Sequence, residues 1–296
     1  MLYALQQLLN GLHSGALYAL LAFGYVVTNG VLRRTNLAYG AVFAFCGHAL
    51  ILVAVFAWTA LWLEWWAAVA LGLLVSAAYA WLIGSAMSRW VLEPLERASP
   101  NAVVVGTLAC AIVLAELSRI SAGTRDLWLP PLLSTPVPLA SGSFTVTLTL
   151  NQLAGCAVAA ATLAAATLAL RHSRQGRCWR AVSDDPAAAA LCGVHVGRAF
   201  RRAVIAGCLL AALAGALAAV HYGNIGFGAG MVYGLKILFV TAAGSYSAPD
   251  RAALGAFAYG VGEALWAGYF PIEWRDAWML SFLAAMLILR RSDDGV

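Results

Sequence analysis

Charge is what this sequence has least of. Only 10% of its 296 residues are Asp, Glu, Lys or Arg, against roughly 25% in an ordinary soluble domain. That deficit excludes a fold that faces water on all sides. Lysine is almost missing: seventeen of the eighteen basic residues are Arg, and the single Lys236 lies in an apolar stretch. With lysine goes any G-x-x-x-x-G-K-[ST] phosphate loop, so the chain carries no nucleotide site of that kind. There is also no H-E-x-x-H, no G-x-S-x-G and no His/Cys cluster at metal-ligand spacing. No catalytic residue, cofactor or metal is expected, and the chain does not read as an enzyme. The six cysteines (46, 110, 156, 178, 192 and 208) form no Cys-x-x-Cys pair and read as free thiols, four of them in apolar segments. No basic residue precedes Arg33. The n-region of a signal peptide is therefore missing, and the first apolar segment is expected to remain in the mature protein.

What is present is apolar length. Hydrophobic residues make up 62% of the chain and mean hydropathy is +0.82. Charge-free runs of about 20 residues, enough to cross a bilayer, recur. We read nine apolar segments: 5–28, 36–60, 66–87, 101–121, 146–170, 203–221, 233–247, 252–270 and 275–289. The seventh and ninth are short for a full span. The expected fold is an all-α polytopic membrane protein, with about eight or nine transmembrane or half-spanning helices. It forms a single transmembrane domain over 1–296, in contact with membrane lipid.

A net charge of +5 then reads as topology and not as nucleic-acid binding. If the polar run 171–202 faces the cytoplasm, fourteen arginines fall on that side. Only Arg119, Arg125 and Arg275 fall outside. By the positive-inside rule the N-terminus is expected outside and the C-terminus in the cytoplasm. Pro130, Pro131, Pro136 and Pro138 mark 122–145 as a surface loop on the outer side. Trp58, Trp62, Trp65, Trp66, Trp266 and Trp274 read as interfacial anchors.

Two features invite a functional reading. The first is the run 171–202 itself, which holds seven arginines and a miniature helix with both ends written out. Asp185 suits the N-cap, Pro186 the first helical position, Ala187 to Leu191 the helix, and Gly193 a left-handed terminus. A short capped helix between apolar segments suggests a docking element. The second is a set of ionisable groups inside apolar segments: Glu116, Lys236 and Glu263, with His13, His48 and His221. Such groups are costly in a membrane and are functional candidates. Lys236 and Glu263 are placed to pair with each other, to line a pathway or to snorkel toward the interface. Glu116, near an outer end, reads as solvated, and His13 as hydrogen-bonded packing. Gly11 and Gly15 form a G-x-x-x-G packing step. The dense cluster Gly223, Gly226, Gly228, Gly230 and Gly234 suggests non-helical backbone at or near membrane depth.

Four blocks resemble the permease subunits of branched-chain amino-acid ABC importers, most like the shorter, H-type subunit of the leucine–isoleucine–valine system. They are Gly15 to Gly40, 93–108, Arg180 to Arg198, and a C-terminal part with Gly234-Leu235-Lys236, Leu254-Gly255, Gly260 and Glu263-Ala264-Leu265. The similarity spans nearly the whole chain. Departures mark a divergent member: Tyr39 replaces the family's His, Ala187 its Glu, Glu93 its Arg, and 242–247 most of its Gly-rich turn.

The resemblance implies a permease in the bacterial inner membrane, importing branched-chain or related amino acids. It implies partners: cytoplasmic ABC ATPase subunits, a second permease subunit, identical or different, and a periplasmic or lipoprotein substrate-binding protein. Asp185, Pro186, Ala187, Ala188, Ala189, Leu191 and Gly193 would form the ATPase coupling helix. Arg177, Arg180 and Arg198 belong to its basic loop. Tyr18, Asn36, Tyr39, Lys236 and Glu263 are candidates for the translocation path. Urea or short amides are an alternative cargo, and a stand-alone secondary transporter or channel an alternative class. An acid–base role for Lys236, Glu263 and His221 has no motif behind it.

Overall fold

The computed structural model describes residues 2–123, 127–133, 135–140, 145–244 and 248–293. Each of the nine apolar segments has its own helix, although the fifth, 146–170, begins on a strand and the end of the seventh, 245–247, lies outside the described residues. The helices are α1 (Leu2–Leu32), α2 (Ala38–Ala60), α3 (Trp65–Ala86), α4 (Glu93–Ala98), α5 (Pro100–Ser121), α6 (Leu150–His172), α7 (Arg174–Asp184), α8 (Pro186–Leu191), α9 (Val196–Tyr222), α10 (Ala229–Gly244), α11 (Pro249–Tyr269) and α12 (Arg275–Asp293). A π-helical turn, Met87–Leu92, joins α3 to α4 without a break. Six rods among the described residues are long and apolar enough to cross a membrane: α1, α2, the α3 rod to Leu95, α5, α6 and α9. The apolar α10 is shorter. Its 16 residues rise about 24 Å, less than the ~30 Å hydrocarbon core. The whole is an all-α polytopic membrane protein.

The centre of the bundle is α1. From Leu17 to Leu32 every residue of it is buried. Against it pack α11, α9, α6 and α10, with α2 seated on α9 and α10, while α3, α5 and α6 keep many apolar side chains exposed. Without a hydrophobic force between helices in lipid, close packing must come from small residues. Glycine therefore marks the crossings. A Cβ on Gly260 of α11 would lie 2.6 Å from the Gly15 Cα of α1, and one on Gly11 would lie 3.0 Å from the Val261 Cα. The G-x-x-x-G step is thus the seam between α1 and α11. Gly40 of α2 meets Gly230 and Gly234 of α10 in the same way, and Gly47 of α2 meets Gly215 of α9.

The α9–α10 connection has the expected irregular backbone at Gly223, Gly226 and Gly228, whereas Gly230 and Gly234 lie within α10. Gly223 closes α9 in the left-handed conformation (φ 74°), and residues up to 228 are not helical. Ile225 lies against Gly47 and Phe227 against His48, ring centres 5.3 Å apart. Both contacts fall near the middle of α2.

The proline-rich connection differs from a plain loop. It contains an antiparallel hairpin, β1 (Pro136–Ala140) with β2 (Val146–Thr149). Pro136 and Pro138 are two apart, so both missing N–H groups fall on the same strand edge, which is how a strand tolerates proline. The side-chain amide of Gln6 donates to the Thr147 carbonyl and accepts from its N–H, both at 2.9 Å. It thus serves β2 as an extra strand would. All six cysteines are free. Arg125 and Ser245 to Ser247, which enter the charge count and the family comparison, lie outside the described residues, as do the side chains of Arg97, Arg290 and Arg291.

Candidate functional site

The polar run 171–202 folds into two short helices set under the bundle. α7 begins at Ser173, whose hydroxyl accepts from the Gly176 N–H at 3.0 Å. Gly176, Trp179 and Val182 are its buried residues, and their spacing of three puts them on one face. Arg174, Arg177 and Arg180 repeat at the same spacing and stay exposed. This helix is not foreseen by reading the run as a loop around one miniature helix. The two interleaved three-residue repeats were the available signal.

Trp179 anchors α7. Its indole Nε1–H donates to the Val27 carbonyl at 2.8 Å, and its ring lies where a Cβ on Gly30 would sit, 2.7 Å away. From the other side, Arg33 at the end of α1 donates to the Ser183 and Asp184 carbonyls, at 2.7 and 2.5 Å. These carbonyls belong to the last turn of α7, where a cation is favoured. Arg33 adopts a left-handed backbone (φ 53°), uncommon for a non-glycine residue. Arg177 and Arg180 turn back and donate to the carbonyls of His172 and Arg171, at the C-terminus of α6. Arg171 pairs with Asp250 of α11 at 2.6 Å, and Thr167 donates to the same carboxylate.

α8 is the capped helix. Asp185 accepts from the N–H groups of Ala187 (2.8 Å) and Ala188 (3.2 Å) through one oxygen, and Pro186 opens the first turn. At the far end the Gly193 N–H donates to Ala190 and the Val194 N–H to Ala189, with Gly193 at φ 80°. That is the Schellman pattern. Both ends of a six-residue helix are therefore tied off, which it needs, since so short a helix does not form alone. Ala189 faces inward and is buried. Ala187 and Ala188 are exposed, and Leu191 is 90% exposed.

A second constellation sits where α10, α11 and the start of α12 meet. Lys236 and Glu263 are 3% and 7% exposed and bond at 2.7 Å. Lys236 also reaches Asp276 at 2.9 Å. Arg275 reaches Glu263 at 3.2 Å and Asp276 at 3.1 Å. Each cation touches both anions, so four alternating charges close a ring of zero net charge. The tyrosines of Tyr18, Tyr233 and Tyr259 crowd beside it, with Tyr18 ring centres 5.7 Å from Tyr233 and 5.4 Å from Tyr259. Lys236 and Glu263 form an ion pair, and Asp276 and Arg275 enlarge it. Arg275, read from sequence as an outer-side charge, and Asp276 were not linked to the pair. Arg275 and Asp276 lie beyond the gap between two apolar segments, where only tertiary contact reveals them.

The other candidates lie apart. Asn36 is buried and accepts from the Ala38 N–H at 3.1 Å, opening α2. Tyr39 is buried against Tyr25, ring centres 5.5 Å apart. Neither touches the charge ring. His13 packs against His221, ring centres 3.9 Å apart and planes tilted by 40°, so its partner is an imidazole. Glu116 is exposed and pairs with Arg119. Among the described residues no group of three or more His, Cys, Asp or Glu is placed to hold a metal.

Comparison with known proteins covers the whole molecule. The model of a family described as the branched-chain amino acid transport system / permease component matches residues 7–290. The high-affinity branched-chain amino acid transport system permease protein LivH of Salmonella typhimurium is 28% identical over 301 residues, covering 100% of this chain and 96% of the relative. LivH of Escherichia coli gives the same identity and coverage. BraD of Pseudomonas aeruginosa, of the same description, is 28% identical over 291 residues, 97% of this chain and 94% of its own. No solved structure matches the chain.

Proposed function

Because the chain belongs to the branched-chain amino acid transport system / permease component family, we propose that it is the membrane subunit of an ATP-driven importer for branched-chain or related amino acids. Being a transport permease, it is a membrane-embedded multi-pass protein. In this reading it sits in the bacterial inner membrane with the N-terminus outside and the loop 171–202 in the cytoplasm. ATP is hydrolysed by a partner ATPase that α8 contacts. A second permease subunit completes the path, and a substrate-binding protein delivers cargo at the opposite end.

One observation carries the reading: a short helix capped at both ends presents a nearly bare leucine, Leu191, at the arginine-rich end of the molecule. An exposed apolar knob on a rigid mount suits insertion into a groove on another protein. Trp179 and Arg33 join that mount to the end of α1. A push on α8 would therefore reach the central helix, the kind of rigid-body switch that alternates access.

The test is uptake of labelled leucine and urea by cells that express the full importer. Leu191→Asp should abolish uptake with membrane insertion intact. Normal uptake by a well-inserted variant would sink the coupling role. Uptake of urea in place of leucine would reassign the cargo. Transport by the purified chain alone, without an ATPase, would make it a secondary transporter or channel.

A further inference from the structure

Beside α7 the helices α6 and α9 do not close on each other. A crevice of about 720 Å3 opens between them, walled at the back by Phe23 and Val27 of α1 and by Leu210 of α9. Alanine keeps it open. Ala166 and Ala169 line it from α6, and Ala203 and Ala206 from α9, where larger side chains would fill the gap.

Its mouth has a different chemistry. Arg174, Arg198 and Arg202 line it together with His195, and among the described residues no Asp or Glu does. All three arginines are exposed. None has an ion-pair partner among the described residues. Their neighbours are engaged: Arg33, Arg177 and Arg180 donate to helix-end carbonyls and Arg171 pairs with Asp250. The seven arginines of the run thus include a group with a structural use and a group without one, and the second includes the three at the crevice.

We infer that this crevice is a binding site for an anionic phospholipid, with its headgroup phosphate on Arg174, Arg198 and Arg202 and an acyl chain along the alanine-lined floor. Guanidinium groups suit phosphate through paired N–H donors. Basic pockets between spans on the arginine-rich side are where such headgroups bind. The floor decides between a lipid and a free anion. An inorganic phosphate or a nucleotide has no use for a long apolar wall between two membrane-spanning helices. A lipid does, because α6 and α9 are both long and apolar enough to span a bilayer and α6 keeps most of its surface exposed. The site adjoins α7 and, through Cys192 and Gly193 at its rim, the end of α8. A bound lipid would brace the mount on which Leu191 stands. The inference does not depend on which substrate the protein carries.

The experiment uses the purified full chain in nanodiscs of phosphatidylglycerol or phosphatidylcholine. Retained lipid is then measured by native mass spectrometry after detergent exchange. Wild type should keep phosphatidylglycerol and release phosphatidylcholine. The triple variant Arg174→Gln/Arg198→Gln/Arg202→Gln should bind phosphatidylglycerol about a hundredfold more weakly, from about fivefold per arginine. Ala206→Trp fills the floor and leaves every charge in place. It should also lose the lipid, with Ala169→Leu in its stead if the first variant does not fold. Excess inorganic phosphate should fail to displace the lipid.

Retention of phosphatidylglycerol by the floor variant overturns the proposal, as does displacement by phosphate, which would make this a simple anion site. Equal retention of phosphatidylcholine reduces it to nonspecific solvation. Loss of ATPase co-purification in the floor variant with lipid retention unchanged assigns the crevice to a protein partner instead.

Discussion

Trp179 donates its indole N–H to the Val27 carbonyl at 2.8 Å, so a side chain from the polar loop is bonded to the backbone of the most buried helix. Gly30, one turn further on, leaves the room that the indole ring fills. The contact joins the arginine-rich end of the protein to the axis around which the other helices pack. Motion of α7 and α8 cannot stay local while this bond and the Arg33 bonds to Ser183 and Asp184 hold.

A double-mutant cycle tests that contact. Gly30→Val should push against the indole ring, lower thermal stability and reduce uptake. Trp179→Leu alone loses the hydrogen bond, about 1 kcal/mol, together with ring packing. The two together should cost less than the sum, because the smaller side chain makes room for the valine. Strict additivity in melting temperature would mean that the residues do not act on each other.

The cap of α8 supplies a second prediction. Asp185→Ala removes the acceptor of two N–H groups and should cost about 1 kcal/mol of local stability. Amide exchange over 187–191 should quicken and uptake should fall, while Asp185→Asn retains most of both. Unchanged exchange in the alanine variant would show that the cap is dispensable.

The charge ring predicts an asymmetry. Lys236→Met leaves Glu263 buried with only Arg275, and breaking a buried pair typically costs about 3–5 kcal/mol. Lys236→Met/Glu263→Leu removes opposite charges together and should be more stable than Lys236→Met alone. Melting in detergent compares the two. A double variant less stable than the single one would mean that the ring contributes more than mutual neutralisation.

The α1–α11 seam is a matter of space. Gly260→Leu has no room against the Gly15 backbone, where even a Cβ would lie 2.6 Å from the Gly15 Cα. We expect loss of the folded protein from the membrane. Gly262→Leu, where a Cβ meets only the Met279 side chain at 3.6 Å, should be tolerated. Immunoblots of membrane fractions, with melting curves for whatever accumulates, distinguish them.

Topology can be read from Cys192, the one exposed cysteine among the six. A membrane-impermeant maleimide should label it in inside-out vesicles and not in intact spheroplasts, with Cys192→Ser as the blank. Labelling in spheroplasts alone would invert the proposed orientation.

Much of the site was legible because its signals are local. The Asp185-Pro186 start, the alanine run and Gly193 specify a capped helix through contacts within nine residues, and the backbone bonds fall on those positions. Lys236 and Glu263 stood out because any charge does in an apolar segment. α7 was hidden because its period of three is mostly drawn in arginine, which also marks a cytoplasmic loop. The β1–β2 hairpin was hidden because proline argues against strands, except when alternate prolines share one edge. Arg275 and Asp276 were hidden because their partners come from α10 and α11, not from their own helix.

By itself, the sequence determined that this is a membrane protein of helices, roughly where the apolar ones lie, and which loop gathers the positive charge. Those properties follow from apolar length, capping residues and charge placement, all of which act along the chain. The tertiary structure alone decided which arginines close helix ends and which stand unpaired beside the α6–α9 crevice. It also closed two acids and two bases into a neutral ring and set Trp179 under Gly30. These depend on distances between residues far apart in the chain, and in a bundle held by glycine-to-backbone contact those distances are set by how the helices cross.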